Sequence, residues 1–237
     1  MAEKRTVYTS FHDIPPRDYM YFPKGTIEPS KPGSFSKIEL VHLTISIIVL
    51  TVAFAFALSG NNLTYGLYDG FKLDILLYHL ARSFLGIISA FFVHELSHKI
   101  IAQKYGLWAE YRMFPKGLGL ALLLGILTPF VFAAPGAVMF MGDSRDYETG
   151  RIATAGPLAN IILAGITFLI FIMLYETPVK EIIGFICLIN AFLAMFNLLP
   201  FGPLDGVKII RWNATVWIIL LIISSFILIQ IWPKVSF

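Results

Sequence analysis

Apolar residues in this chain fall in long blocks rather than in alternating or striped patterns. Apolar blocks run from about Ile38 to Leu58, Leu73 to Tyr105, Arg151 to Tyr175, Glu181 to Leu199 and Asn213 to Trp232, and only the second carries several charges, Asp74, Arg82, Glu95, Lys99 and Lys104. Blocks of this length predict membrane-spanning helices. The predicted fold is therefore an all-α polytopic membrane protein with about five transmembrane helices. Residues 117–141 are also apolar, but Gly117, Gly119, Gly125, Pro129, Pro135 and Gly136 interrupt them. They are too few for two full helical crossings and a turn. They predict a re-entrant hairpin, partly extended and partly β, whose non-helical backbone is covered by protein or lines a cavity.

Residues 1–37 differ in character. They carry Pro15, Pro16, Pro23, Pro29 and Pro32 among Lys4, Arg5, Arg17, Lys24, Lys31 and Lys37. This predicts a cytoplasmic Pro-rich arm ahead of a membrane-embedded domain, residues 38–237, with its core in 71–211. Tyr19, Tyr21 and Phe22 give the arm a second reading, as a docking or gating segment. Basic residues before the first block and few after it place the N-terminus in the cytoplasm and the loop Gly60–Gly70 outside. No early apolar core marks a secretory leader.

Composition supports the membrane reading. Hydrophobic residues make up 57% of the chain and charged residues 14%, with a mean hydropathy of +0.75. A soluble domain rarely carries so few charges. The net charge of +3 is small, and the basic residues sit mostly between apolar blocks. Membrane topology explains them, and no nucleic-acid partner is expected. The single cysteine, Cys187, excludes an internal disulfide and a multi-cysteine zinc site. It reads as a small core residue.

The second block contains His94-Glu95-Leu96-Ser97-His98. Residues four apart share a helix face, so His94 and His98 can bind one zinc ion with Glu95 beside it as general base. Arg82 and Lys104 offer natural edges for this span, about 22 residues or some 33 Å apart. His94 then falls within the bilayer and His98 nearer the cytoplasmic side. Lys99 is expected to snorkel toward that side. His79 and Arg82 are expected to anchor the external interface, and His42 to be interfacial or packed.

A catalytic zinc site usually needs a third protein ligand. His98 is the last histidine, and no downstream glutamate begins a Glu-x-x-x-Asp pattern. After Arg151 the acidic residues are Glu176, Glu181 and Asp205. The two glutamates bracket a loop on the far side. Asp205 sits at the depth expected for His98, among Pro200, Gly202, Pro203 and Gly206, which would unwind the chain and turn a carboxylate inward. Elimination selects Asp205.

Three motifs together carry a family resemblance. His94-Glu95-Leu96-Ser97-His98, then Ala155-Gly156-Pro157-Leu158-Ala159-Asn160, then Asn197 through Pro200 and Pro203-Leu204-Asp205-Gly206 resemble the site-2 protease family of intramembrane zinc metalloproteases. The likeness covers roughly residues 38–211. It implies one Zn2+ per chain held by His94, His98 and Asp205, and Glu95 as catalytic acid and base. It also implies that Asn160 lies near the site, either donating to the oxyanion or packing helices together. The expected substrate is a transmembrane protein in the lipid bilayer, cut within the membrane nearer the cytoplasmic side of the cell membrane. The chain lacks room for a PDZ domain between its core spans, and 117–141 is longer than a simple strand insert. Other readings compete: an inactive homologue that binds client helices, a metal transporter, and a membrane zinc protease that cuts soluble segments at the surface. A transporter would spread ligands along a path, and an inactive homologue would typically lack Glu95.

Overall fold

The computed structural model describes residues 31–64, 70–132, 134–142 and 144–235. Most of the arm therefore lies outside the described residues, as does part of the loop Gly60–Gly70. Five helices are long and apolar enough to cross a membrane: α1 (Lys37–Leu58), α2 (Leu73–Lys104), α4 (Asp146–Met173), α5 (Pro178–Asn197) and α7 (Ala214–Ile231). The protein is a multi-pass membrane protein. Large apolar side chains on α4 and α7, among them Ile166, Leu169, Ile222, Phe226 and Ile229, lie open on the outside. A surface of that kind is suited to lipid, not water.

Local chemistry explains several boundaries. Ser36 caps α1 by accepting the Glu39 amide, and Asn213 caps α7 by accepting the Val216 amide. Thr177 caps α5, with Pro178 in the first turn. Helix α2 contains a π turn over Ile88–Phe92, just ahead of His94. Such turns re-aim the faces on either side of them.

Between α2 and α4 the chain forms β1 (Trp108–Met113), the helix α3 (Pro115–Leu127) and β2 (Gly136–Met141). The strands pair antiparallel, with Trp108 opposite Met141 and Met113 opposite Gly136. The predicted hairpin is thus a helix outward and a strand back, closed at its base by a two-stranded sheet. At 13 residues, α3 spans about 20 Å, short of a full crossing. Strand β1 precedes the segment where extended structure was expected. Its mix of small, charged and aromatic residues carries no clean alternation. Helix α3 lies tightly on α1: a Cβ on Gly125 would meet the Ala53 carbonyl at 2.2 Å.

Helices α4, α5 and α7 pack on one another, α4 also lies along the second half of α2 together with the sheet, and α1 packs on the first half of α2, on α3 and on β1. A short helix, α6 (Asp205–Trp212), follows the Pro-rich turn after α5 and lies against α4. Cys187 is fully buried among Ala164, Leu188 and Ala191, as expected.

Three charged positions differ from expectation. Lys99 does not snorkel: it is 1% exposed and paired with the fully buried Glu39 of α1. Its methylene stem cannot reach the interface because the sheet and the 31–36 segment cover it, with Phe35 under its ammonium at 4.5 Å. His79 and Arg82 are also buried rather than interfacial, and Arg82 lies over the Phe185 ring at 4.7 Å. Packing of α2 against α5 encloses Arg82. Removing one partner of a buried ion pair such as Glu39–Lys99 typically costs about 3–5 kcal/mol, because the other charge is stranded.

Candidate metal centre

Helical spacing sets His94 and His98 one turn apart on α2, and the start of α6 brings Asp205 to them. The His94 Nε2 and His98 Nε2 atoms are 3.0 Å apart. Asp205 Oδ2 lies 3.4 Å from the first and 3.0 Å from the second. All three residues are buried. Among the described residues this is the group of His, Cys, Asp and Glu side chains able to hold a metal ion. His42 is not part of it.

The partners on the far side of each ring decide what the near side offers. Asn160 sends its amide hydrogens to the Ala90 carbonyl at 3.0 Å and Asn190 Oδ1 at 2.8 Å. Its Oδ1 therefore accepts from His94 Nδ1 at 2.5 Å. His98 Nδ1 donates to the Ile152 carbonyl at 2.7 Å. With both protons on Nδ1, each neutral imidazole presents a lone pair at Nε2. Two lone pairs and a carboxylate oxygen then face one another, a donor set suited to a metal cation. A tetrahedral zinc site at the usual ligand lengths spaces its donors about 3.3 Å apart, close to the separations here.

Space is left for an ion as well. Gly156 of α4 faces the pair: a Cβ there would stand 2.3 Å from His98 Nε2 and 2.7 Å from His94 Nε2. Only a glycine keeps α4 close without filling the gap between the donors.

Glu95 faces the sheet, and its Oε2 accepts the Val138 amide of β2 at 2.9 Å. Beside it lies a cavity of about 330 Å³, lined by the three donors, Glu95 and the β2 residues Gly136–Val138. Phe132 from the α3–β2 connection packs edge-on to Phe196 of α5, and both rings line the same cavity. Tyr111 steadies the start of β2. Its hydroxyl donates to the Pro135 carbonyl at 2.8 Å and meets Ser46 Oγ at 2.9 Å. Burial pushes that hydroxyl well above its ordinary pKa, so it remains a donor.

Comparison with known proteins agrees. A Methanocaldococcus jannaschii protein named as a candidate zinc metalloprotease is 37% identical over 187 residues, covering 78% of this chain and 90% of that protein. The chain belongs to the site-2 protease family of zinc metalloproteases. A second relative of that description, from Bacillus subtilis, is 30% identical over 53% of the chain and 65% of its own length. A further M. jannaschii protein named zinc metalloprotease is 30% identical over 73% of the chain and 41% of its own length. No family model and no solved structure matches the chain. Together with the donor group, these relatives make it a zinc protein with one ion per chain.

Within this family framework, the sequence-derived site residues meet in one place: His94, His98, Asp205, Glu95 and Asn160. Asn160 holds no spare amide hydrogen for an oxyanion, because Ala90 and Asn190 take both. Asn197 lines the cavity and donates to Leu193 of its own helix. Three contributors were not singled out from sequence. Gly156 belongs to the Ala155–Asn160 motif, which by itself assigns it no role at the metal. Asn190 ties Asn160 to Ser89 in the π turn. Glu39 lies at the capping-box spacing from Ser36, a local signal that hides its distant partner Lys99.

Proposed function

We propose that this protein is an intramembrane zinc endopeptidase that cuts membrane proteins within or near a transmembrane segment. The observation that carries the reading is a metal donor set and a carboxylate, Glu95, placed together at the edge of a strand. His94, His98 and Asp205 hold the ion. Bound there, zinc supplies a Lewis acid and a water of lowered pKa.

The chain's own residues divide the remaining work. Glu95 takes the proton of the water that attacks the scissile carbonyl and returns it to the departing amine as the C–N bond breaks. Asn160 and the Ile152 carbonyl fix the imidazole tautomers and hold the rings in place. A helical substrate hides its carbonyls, so the segment to be cut must unwind. The outer edge of β2 can receive it as an added strand once the Val138 amide passes from Glu95 to a substrate carbonyl. Phe132 and Phe196 give the cavity apolar walls that suit membrane-segment side chains.

The distribution of Lys and Arg supports a cytoplasmic N-terminus, residues 1–37 as a cytoplasmic arm, and a centre nearer the cytoplasmic face. The convergence of donors at one point, with Glu95 in place, favours hydrolysis over metal transport or an inactive client-binding role. The test is purified Glu95→Gln reconstituted with a helical membrane substrate. It should keep its zinc and lose cleavage by at least about 10²-fold. Turnover equal to the wild type would refute the mechanism.

A further inference from the structure

The strand pair is gripped from both edges by side chains of helices. Tyr111 and Val138 face each other in the register, yet their amides point apart. The Val138 amide goes to Glu95 at 2.9 Å, and the Tyr111 amide goes to Glu39 Oε1 at 3.0 Å. The other oxygen of Glu39 pairs with Lys99, whose ammonium also donates to the Ala109 carbonyl at 3.1 Å. Glu39 and Lys99 thus take the acceptor and donor places that a neighbouring strand would fill along β1. The outer edge of β1 is closed, and that of β2 borders the cavity. Glu95 and Lys99 are one turn apart on α2, so a single helix face holds both edges of the sheet.

We infer that Glu39 is a positioning residue for proteolysis: through Lys99 and the Tyr111 amide it sets where β2, and a substrate strand added to it, lies relative to Glu95 and the metal donors. Glu39 is far along the chain from the motif and touches neither metal donor nor cavity. It acts through the sheet. Without it, β1 can slide or lift on α2, and the substrate is offered to Glu95 in more than one register. The inference rests on the proposed proteolytic reading.

The test compares wild type, Glu39→Ala and Glu39→Gln in liposomes with one helical membrane substrate. Zinc per chain, kcat, KM and the bonds cut, mapped by mass spectrometry, are recorded. Glu39→Ala should keep one zinc per chain, lose about 10²-fold in kcat/KM, and spread cleavage to neighbouring bonds. Glu39→Gln keeps an acceptor for the Tyr111 amide and should restore a single cleavage position. A merely structural role would lower the active fraction without moving the cut. A single unmoved cut with wild-type KM in Glu39→Ala would overturn the inference while leaving the proteolytic reading intact. Loss of zinc in both variants would also overturn it. Absence of cleavage by the wild type would overturn the reading and the inference together.

Discussion

Replacing Gly156 with alanine tests the metal centre through a residue that is neither ligand nor base. The added methyl would stand 2.3 Å from His98 Nε2, whereas ordinary contact begins near 3.4 Å. One imidazole or the α4 backbone must therefore give by about 1 Å. Neither ring can swing freely, because Asn160 holds His94 and the Ile152 carbonyl holds His98. Zinc ligand distances tolerate only about 0.2 Å of error, so a ring that yields by about 1 Å leaves the ion's reach, and an α4 that yields instead draws Asn160 and the Ile152 carbonyl off both rings. Loss of an outer partner alone typically weakens metal binding by about 10–100-fold. Loss of a ligand should exceed that, and Gly156→Ala should bind zinc more than about 10²-fold more weakly. The assay is zinc per chain after equilibration against buffered free zinc, with folding followed by circular dichroism. Gly165→Ala is the control: it lies on the same helix with nothing within 4 Å of its Cβ, and should keep wild-type affinity. Wild-type zinc affinity in Gly156→Ala would refute the assignment of the gap to a metal.

Other outcomes follow from the same contacts. Asp205→Asn keeps the shape but removes the charge facing two imidazole lone pairs, and should lower zinc occupancy by metal analysis; full occupancy at normal affinity would reject its ligand role. Asn160→Ala frees His94 Nδ1 and should weaken zinc binding by about 10–100-fold, whereas an oxyanion donor would lower kcat and leave zinc binding unchanged. Lys99→Met strands the Glu39 carboxylate in a closed interior and should cost about 3–5 kcal/mol in detergent denaturation; a loss under 1 kcal/mol would show that water reaches the pair.

Much of this architecture is readable from the chain because membranes impose simple demands. Long apolar blocks fix the number of crossings, and the spacing of His94 and His98 fixes a shared face. Asp205 is accessible to elimination because carboxylates are scarce after Arg151. What escapes is held by distant contacts. Lys99 beside the motif looks like an interfacial cation until Glu39, sixty residues earlier, is seen to meet it. Arg82 looks interfacial until Phe185 of α5 is seen to cover it. Gly156 is one residue of a motif until α4 is laid against the two imidazoles. Strand β1 has no alternation because Tyr111 and Glu110 face different protein partners rather than core and water.

The central claim is hydrolysis of a membrane-embedded bond by Glu95 and the metal group. The most direct test maps the fragments of a helical membrane substrate cut in liposomes by wild type and Glu95→Gln. A soluble peptide of the same sequence runs alongside. The account expects one main cut within or beside the transmembrane segment, made by the wild type alone and preferred over the soluble peptide. Cleavage confined to soluble segments, or fragments that persist in Glu95→Gln, would contradict it.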